Sequence, residues 1–190
     1  MLFRSENSIE LRKLIEGLLN YSAVHAQTSY LDASIVQLRE VVRRVVNDRK
    51  LAIVAKDLRI ELNCEHVTAY CDEEKVRVIL DNLLSNAVKY SPERGLVTIK
   101  LYREHGDAVF EVRDEGPGIP APEREKVFEA FYRGTDVPVA AIKGSGLGLS
   151  IVKEYVQLHG GQVEILDGPG AFFRIRIPRR REEESQEEAA

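Results

Sequence analysis

Two asparagines one helical turn apart are the first residues whose types and spacing suggest chemistry. Asn82 and Asn86 lie in the segment DNLLSNAVKY, and Lys89 and Tyr90 follow them. Asparagine is a mediocre helix former and is seldom buried in a core. The four residues stand at i, i+4, i+7 and i+8, so they share one face of a helix. We expect that face to line a polar cavity.

A carboxylate followed by glycines is a second candidate. In DEGPGIP, Asp114 ends a predicted strand, and Gly116 and Gly118 come just after it. A carboxylate at a strand end can accept a hydrogen bond from an amine, such as the exocyclic amino group of adenine, and glycines let the backbone approach a ligand closely. An ordinary turn with a surface aspartate matches the same residues, so this segment alone leaves both interpretations open.

A second glycine cluster predicts a phosphate site. KGSGLGLSIV places Gly144, Gly146 and Gly148 at the start of a predicted helix. Backbone N–H groups at a helix N-terminus, with the helix dipole behind them, bind phosphate. The segment is neither a Walker A loop, which needs Lys-Ser or Lys-Thr after the last glycine, nor a G-x-G-x-x-G fingerprint. A nucleotide would therefore be held by a different architecture.

Helical periodicity predicts the elements that carry these groups. The helix with the asparagines begins after an N-cap at Asp72 and buries a separate stripe of Val76, Ile79, Leu80, Leu83 and Ala87. A second helix buries Leu38, Val41, Val42, Val45 and Val46, and another spans about 147–159. Between Ile9 and Gln27 a short stripe is typical either of a helix packed on its own domain or of half a dimerising hairpin, and its residues are Leu11, Ile15 and Leu18.

Alternating apolar residues predict strands at 58–62, 67–71, 96–102, 107–114, 162–166 and 171–177. Residues 115–146 form a glycine-punctuated loop that is helical only around 123–128. A loop of this length is usually a functional lid or disordered. After Pro178 the segment RRREEESQEEAA has almost no apolar residues, so we expect a disordered charged tail.

Composition indicates a soluble globular protein. The 190 residues carry a net charge of -4, with 44% hydrophobic and 31% charged residues, and this balance is ordinary for a globular domain. The acidic balance argues against a nucleic-acid surface. No run has the length of a transmembrane helix. We expect Cys64 and Cys71 to be reduced structural thiols of a cytosolic chain.

Four motifs, taken in order, resemble those of one family. The segments NLLSNAVKY, DEGPGIP, FEAFYRG and GSGLGLSIV are similar to the N box, first glycine box, F box and second glycine box of the catalytic ATP-binding domain of sensor histidine kinases. The similarity continues through HGGQVEI and GPGAFFRI, and LRKLIEGLLNYSAVHAQ resembles the end of a dimerisation helix. The resemblance implies the GHKL (Bergerat) fold at 31–178, an α/β two-layer sandwich of a mixed sheet with three helices on one face. A helical stub at 1–30 and the tail at 179–190 would flank it.

The resemblance also assigns roles to individual residues. Asn86 matches the asparagine that coordinates Mg²⁺ at the ATP phosphates, with Asn82 as a second ligand or water holder. Asp114 matches the carboxylate that reads adenine, Tyr90 the aromatic residue beside it, and Lys89 the basic residue near the phosphates. In the lid, Arg133 is a cation for the terminal phosphate, and Phe128 and Phe131 would be anchors. The implied catalytic residues are Asn82, Asn86, Lys89 and Arg133. The implied nucleotide-binding residues are Asn86, Lys89, Tyr90, Asp114, Gly116, Gly118, Ile119, Phe131, Arg133, Lys143, Gly144, Ser145, Gly146, Leu147, Gly148 and Leu149.

The implied reaction transfers the γ-phosphoryl group of ATP to a histidine, from which it passes to a response regulator. An amide cannot act as a general base at neutral pH, so the two asparagines favour transfer over hydrolysis. None of the four histidines, His25, His66, His105 and His159, has the sequence context of an acceptor. We therefore expect the acceptor on a dimerisation domain outside this chain, in a homodimeric, membrane-anchored sensor whose catalytic part is cytoplasmic.

Two other functions remain open at this point. One is a different member of the same fold, such as an ATPase switch or a serine kinase, although the F box and the long lid argue against it. The other is a non-catalytic module that binds nucleotide, or nothing, and acts through its N-terminal helix as a protein-interaction surface.

Overall fold

A computed structural model describes residues 30–134 and 144–179. The helix predicted at 9–27 and all but the first residue of the predicted charged tail lie outside the described residues. Within the described ranges, no helix is long and apolar enough to cross a membrane.

A five-stranded mixed sheet forms one layer of the fold and confirms the predicted sheet. Its strands, in chain order, are β2 (Arg59–Cys64), β4 (Leu96–Glu104), β5 (Asp107–Arg113), β6 (Gln162–Ile165) and β7 (Phe172–Ile177). They lie in the order β2, β4, β5, β7, β6, with β2 parallel to β4 and every other pair antiparallel. Alternate side chains of the three central strands enter the core, namely Val97, Ile99, Leu101, Ala108, Phe110, Val112, Phe173, Ile175 and Ile177.

Helices form the second layer. They are α1 (Leu38–Asp48), α2 (Lys50–Ala55), α3 (Glu73–Tyr90) and α4 (Gly148–Leu158). α1 packs against α3 and α3 against α4, and their buried faces join the core side of the sheet. This confirms the prediction of three helices on one face. The short α2, in which only Ile53 is buried, was not predicted.

Two short strands form a separate antiparallel ladder beside the main sheet. β1 (Ser34–Gln37) pairs with β3 (Thr68–Cys71). The strand predicted at 67–71 is therefore present, but it belongs to this ladder. β1 was not predicted from the sequence.

The sheet face opposite the helices carries cross-strand charge pairs. Glu111, only 6% exposed, accepts hydrogen bonds from the Tyr102 hydroxyl at 2.9 Å and from Arg174 Nε at 3.0 Å. Arg176 pairs with Glu104 and lies 3.8 Å from Asp107. Because these charges satisfy one another across neighbouring strands, this face is a polar surface rather than a second apolar core.

Candidate functional site

The helix that carries the two asparagines is fixed at both ends. At its start Asp72 is the N-cap, and its Oδ1 accepts the backbone N–H of Lys75 at 3.0 Å, as predicted. At its end the Lys56 ammonium donates to the carbonyl oxygens of Val88 and Lys89 at 3.0 and 2.8 Å. A cation at these unsatisfied carbonyls stabilises the last turn of α3. Lys56 was not predicted, because it lies in the turn after α2, which is distant in sequence from the end of α3.

The asparagine face is separate from the core face, as predicted. The predicted stripe is buried, and Leu84 and Val88 widen it. The Asn82 amide donates from Nδ2 to the Val78 carbonyl at 2.9 Å, which leaves Oδ1 as an acceptor. The half-buried Asn86 side chain makes no hydrogen bond to a described residue. Both amide oxygens are therefore available to a ligand.

The donor set suits Mg²⁺ held jointly with phosphate. Among the described residues, no cluster of three or more His, Cys, Asp or Glu side chains could hold a metal ion alone. Mg²⁺ usually keeps several waters and binds through one or two protein oxygens together with substrate phosphates. The amide oxygens of Asn82 and Asn86 fit this limited role.

The second glycine segment lies directly against the asparagine helix. A Cβ added at Gly148, the first residue of α4, would stand 2.7 Å from Asn82 Oδ1. A Cβ added at Gly144 would stand 2.6 Å from Lys89 Nζ. The absence of a side chain at these two glycines lets the backbone lie against the polar ends of Asn82 and Lys89. The N-terminus of α4 and the Lys89 ammonium thus face the same space, where both would favour an anion.

Lys89 sits in an unusual environment for a cation. Its ammonium lies 5.0 Å from the centre of the Tyr90 ring, and it forms no ion pair with a described carboxylate. Burial lowers the pKa of Lys89, and the nearby positive charge of Arg133 lowers it further. Two neighbouring cations repel each other, so a bound polyphosphate would stabilise both.

The buried Asp114 carboxylate keeps one oxygen free of intramolecular hydrogen bonds among the described residues. It is 4% exposed, and its Oδ1 accepts the backbone N–H groups of Gly116 at 2.8 Å and Ala171 at 3.1 Å. Its Oδ2 has no hydrogen-bond partner among the described residues. Burial raises the pKa of Asp114, and the two backbone hydrogen bonds oppose that shift. The surface-turn interpretation of this segment is therefore wrong.

Two residues from the far end of the chain hold Asp114 in place. Ala171 supplies the N–H group just described, and a Cβ added at Gly170 would lie 1.7 Å from the Asp114 carbonyl oxygen. Gly118, at φ +77°, packs against the Gly170 carbonyl in turn. In the sequence the GPGA segment was only part of a family resemblance, and nothing local placed it beside Asp114.

The Asp114 carboxylate lies next to the asparagine helix as well. A Cβ added at Gly116 would be 2.9 Å both from Asp114 Oδ1 and from the Tyr90 carbonyl oxygen. This contact places Asp114 at the C-terminal end of α3. Burial raises the pKa of Tyr90, and the charge of Arg133 opposes that shift, so Arg133 also lies at this end.

An aromatic contact, a backbone hydrogen bond and an ion pair between Arg124 and Asp167 at 2.7 Å all attach the lid. Phe128, in the short 3-10 helix Lys126–Phe128, packs edge-on against Phe173 with ring centres 6.4 Å apart. Phe131 donates its N–H to the Gly146 carbonyl at 3.0 Å, but its side chain is 56% exposed. The predicted anchoring is confirmed for the Phe128 side chain, and Phe131 attaches the lid through its backbone. Gly146 is required here because its φ is +74° and a Cβ would lie 2.8 Å from Phe131 C.

The remaining predicted nucleotide-binding residues differ in their burial and contacts. Ser145 accepts the Leu147 N–H through its Oγ at 3.3 Å. Leu147 is 2% exposed, and Ile119 and Leu149 pack against the core. Any contact that Leu147 makes with a ligand would therefore come from its backbone. Lys143 lies outside the described residues.

Comparison with known proteins places this geometry in a family. Residues 71–181 match the family model described as histidine kinase-, DNA gyrase B-, and HSP90-like ATPase. The sensor histidine kinase TmoS of Ectopseudomonas mendocina is 37% identical over 90% of this chain, and WalK of Bacillus subtilis is 43% identical over 60% of it. The chain spans only 18% and 19% of these two relatives. The crystal structure of full-length ShkA in complex with AMPPNP superposes with a TM-score of 0.81, at 30% identity, over 91% of this chain and 36% of that one.

Proposed function

The chain belongs to the histidine kinase-, DNA gyrase B- and HSP90-like ATPase family, and from this premise we propose that it is the catalytic domain of a two-component sensor histidine kinase. In this role it binds ATP and transfers the γ-phosphoryl group to a histidine. The observation that carries the proposal is the convergence at the C-terminal half of α3. An adenine-type acceptor at Asp114, a cation at Lys89 and the N-terminus of α4 all border it.

The adenine is recognised by Asp114. Its Oδ2 accepts the exocyclic amino group, while Oδ1 stays bonded to two backbone N–H groups and cannot turn away. Tyr90 lies beside the base. A carboxylate fixed in this way distinguishes an amino group from a carbonyl, because the latter offers no donor.

The phosphates are held by Lys89, Arg133 and the N-terminus of α4, and Asn86 and Asn82 would hold Mg²⁺. The metal ion, when bound, neutralises charge on the transferring phosphoryl group. The role of this chain is then positioning and charge neutralisation, which dominate phosphoryl transfer. Because Asn82 and Asn86 carry amides, neither can activate water as a general base. This favours transfer to a histidine over hydrolysis.

The phosphoryl acceptor lies on another domain. Of the three histidines in the described part of the chain, His66 contacts Arg39, His105 is exposed in the turn between β4 and β5, and His159 is 2% exposed. None of them has the sequence context of an acceptor. We assign the acceptor histidine to a dimerisation domain of the same homodimeric kinase, from which a response regulator takes the phosphoryl group. ATP is a cytoplasmic substrate, so the domain works in the cytoplasm as part of a longer, membrane-anchored sensor.

A transfer assay tests this function. The chain is incubated with γ-labelled ATP, Mg²⁺ and a separate dimerisation domain that carries an acceptor histidine. We expect label on the acceptor domain and none on the same domain after substitution of its histidine. Nucleotide binding without any transfer to the acceptor would contradict the kinase assignment and favour a non-catalytic nucleotide-binding module.

The substitution Asn86→Ala separates the metal from the nucleotide. In the presence of Mg²⁺ we expect ATP affinity to fall at least about ten-fold, the scale on which metal-site residues act. Without Mg²⁺ the affinity should match that of the wild type. Asn63→Ala, at an exposed asparagine of β2 that bonds only Glu61, is the control. Equal losses with and without Mg²⁺ would exclude a metal role for Asn86.

ATP affinity should also depend on pH through Asp114. Because burial raises the pKa of this carboxyl, it protonates at a higher pH than an exposed aspartate. Protonation removes the acceptor, so affinity should fall as pH decreases through that pKa, by up to about ten-fold per pH unit. Protonation does not itself destabilise the fold, since the raised pKa means that the folded protein binds this proton more tightly than the unfolded chain. Calorimetric titrations at successive pH values measure the effect. Asp114→Asn, which lacks the titrating group, is the control, and parallel profiles would contradict the assignment.

A further inference from the structure

A buried polar cluster joins the start of α3 to the end of α4, away from the nucleotide. Asp72 and His159 are 4% and 2% exposed. The Asp72 N–H donates to His159 Nε2 at 3.1 Å, and His159 Nδ1 lies 2.6 Å from the Tyr155 carbonyl oxygen. Since an N–H only donates and a carbonyl only accepts, the imidazole is the neutral tautomer with its proton on Nδ1. The two helices that border the nucleotide site are therefore also joined at their other ends.

The same cluster binds the segment that precedes β1. This linker, residues 30–33, comes just before β1. The Asp32 N–H donates to Asp72 Oδ2 at 3.1 Å, and the Lys75 ammonium donates to the Tyr30 carbonyl at 3.1 Å. Lys75 Nζ also pairs with Asp72 Oδ2 at 2.5 Å. Backbone groups of the linker are thus held by one ion pair, in which the Asp72 side chain is buried and the Lys75 side chain is 20% exposed.

The ion pair exceeds what helix capping requires. Capping uses only Asp72 Oδ1, through the Lys75 N–H, and a serine would suffice for it. Removing two charges from water costs free energy unless further hydrogen bonds satisfy them, and here the linker supplies those bonds. Burial disfavours the Asp72 carboxylate, yet the hydrogen bonds from Lys75 and Asp32 outweigh burial and lower its pKa.

Strand pairing and polar contacts together attach the linker. The β1–β3 ladder places Ser34 opposite Cys71, the residue before Asp72, and the linker residues Leu31 and Ala33 are half-buried. Tyr30, by contrast, is 83% exposed, and Asp32 is exposed as well. Lys75 is packed, with its side chain 20% exposed and its ammonium 5.9 Å from the centre of the Tyr155 ring. The polar contacts to Asp72 and Lys75 therefore extend the attachment from the strand pairing to residues 30–32.

We propose that Asp72 and Lys75 form a latch that fixes the linker to the first turn of α3. Because α3 carries Asn82 and Asn86, the latch sets the orientation of whatever precedes residue 30 relative to the nucleotide site. The identity of the oriented part rests on the proposed function, in which the acceptor histidine lies N-terminal to residue 30. Whether the latch holds does not depend on that function.

Hydrogen exchange of the Asp32 amide tests the latch on the whole chain without nucleotide. Asp72→Ser keeps an N-cap acceptor but lacks the second oxygen, and Lys75→Met keeps the capping N–H but lacks the ammonium. We expect both to speed exchange of the linker amides, by roughly ten-fold for Asp32 in Asp72→Ser, the scale of one hydrogen bond. Arg77→Met is the control, because Arg77 on the same helix pairs only with the exposed Glu74. Wild-type exchange in both latch variants would overturn the proposal.

AMPPNP titration of the same variants separates the latch from the nucleotide site. Lys75→Met should bind AMPPNP and Mg²⁺ with wild-type affinity, because Lys75 contacts only the latch and Tyr155. Loss of this affinity together with faster linker exchange would mean that α3 itself is damaged, and would overturn the latch as a separate device. If the wild type does not bind AMPPNP, the proposed function fails, and the exchange comparison still decides the latch.

Discussion

Asp114→Asn is expected to lower ATP affinity about a hundred-fold, the scale of a buried hydrogen bond to a charged group. Oδ1 of Asp114 accepts two backbone N–H groups, from Gly116 and Ala171. In the asparagine variant the amide oxygen must take that position, since an NH₂ group there would face two donors. The NH₂ group then replaces Oδ2 and faces the amino group of adenine, donor against donor. Displacement of a fluorescent ATP analogue measures the loss.

Asp107→Asn is the matched control for this prediction. Asp107 stands at the opposite end of the same strand, where its Oδ1 accepts the backbone N–H of Arg179. Its substitution should leave ATP affinity unchanged. Both variants should retain the wild-type circular dichroism spectrum, because the substitutions keep the side-chain volume. Unchanged ATP affinity in a folded Asp114→Asn variant would remove the assignment of the adenine site.

Gly170→Ala is expected to impair the fold and the site together. The added methyl group would lie 1.7 Å from the Asp114 carbonyl oxygen, and φ at this position is +76°. The backbone on one side must move, and the Ala171 N–H that bonds Asp114 moves with it. We expect a loss of roughly 3 kcal/mol in the free energy of unfolding. In the molecules that remain folded, ATP affinity should fall towards that of Asp114→Asn. Denaturant unfolding and nucleotide displacement measure the two effects.

Gly168→Ala separates the effect of the steric clash with Asp114 from the effect of a positive φ. Gly168 also has a positive φ, +151°, but the nearest atoms to its added Cβ are 3.9 Å away. It should therefore show backbone strain on the order of 1–3 kcal/mol and no change in ATP affinity. Equal effects of the two substitutions on affinity would mean that contact with Asp114 is not what requires Gly170.

The parts of the fold that depend on neighbours in sequence were predictable. The apolar stripe of α3 and its cap at Asp72 follow from helical spacing, and the alternation along β4, β5 and β7 follows from the strand period. α2 and β1 have no such pattern. α2 buries a single side chain, Ile53, and β1 exists only through its pairing with β3.

The site was predictable to the extent that its residues share a motif. Asn82, Asn86 and Lys89 were found because one helix face presents them together. Lys56 was missed because its contact with the end of α3 joins segments that are distant in sequence. Gly170 and Ala171, which support Asp114 across 56 and 57 positions, were missed for the same reason. The exposure of Phe131 depends on how its neighbours pack, and composition carries no signal of that.

Calorimetric titration of the wild-type chain with AMPPNP, with and without Mg²⁺, tests the central claim most directly. The account predicts binding at one site, with a dissociation constant between micromolar and millimolar, and stronger binding in the presence of Mg²⁺. This result would support a nucleotide site built from Asp114, Lys89 and the N-terminus of α4. The absence of any binding in a folded sample would contradict the account and would leave the motifs as features of a module that no longer binds nucleotide.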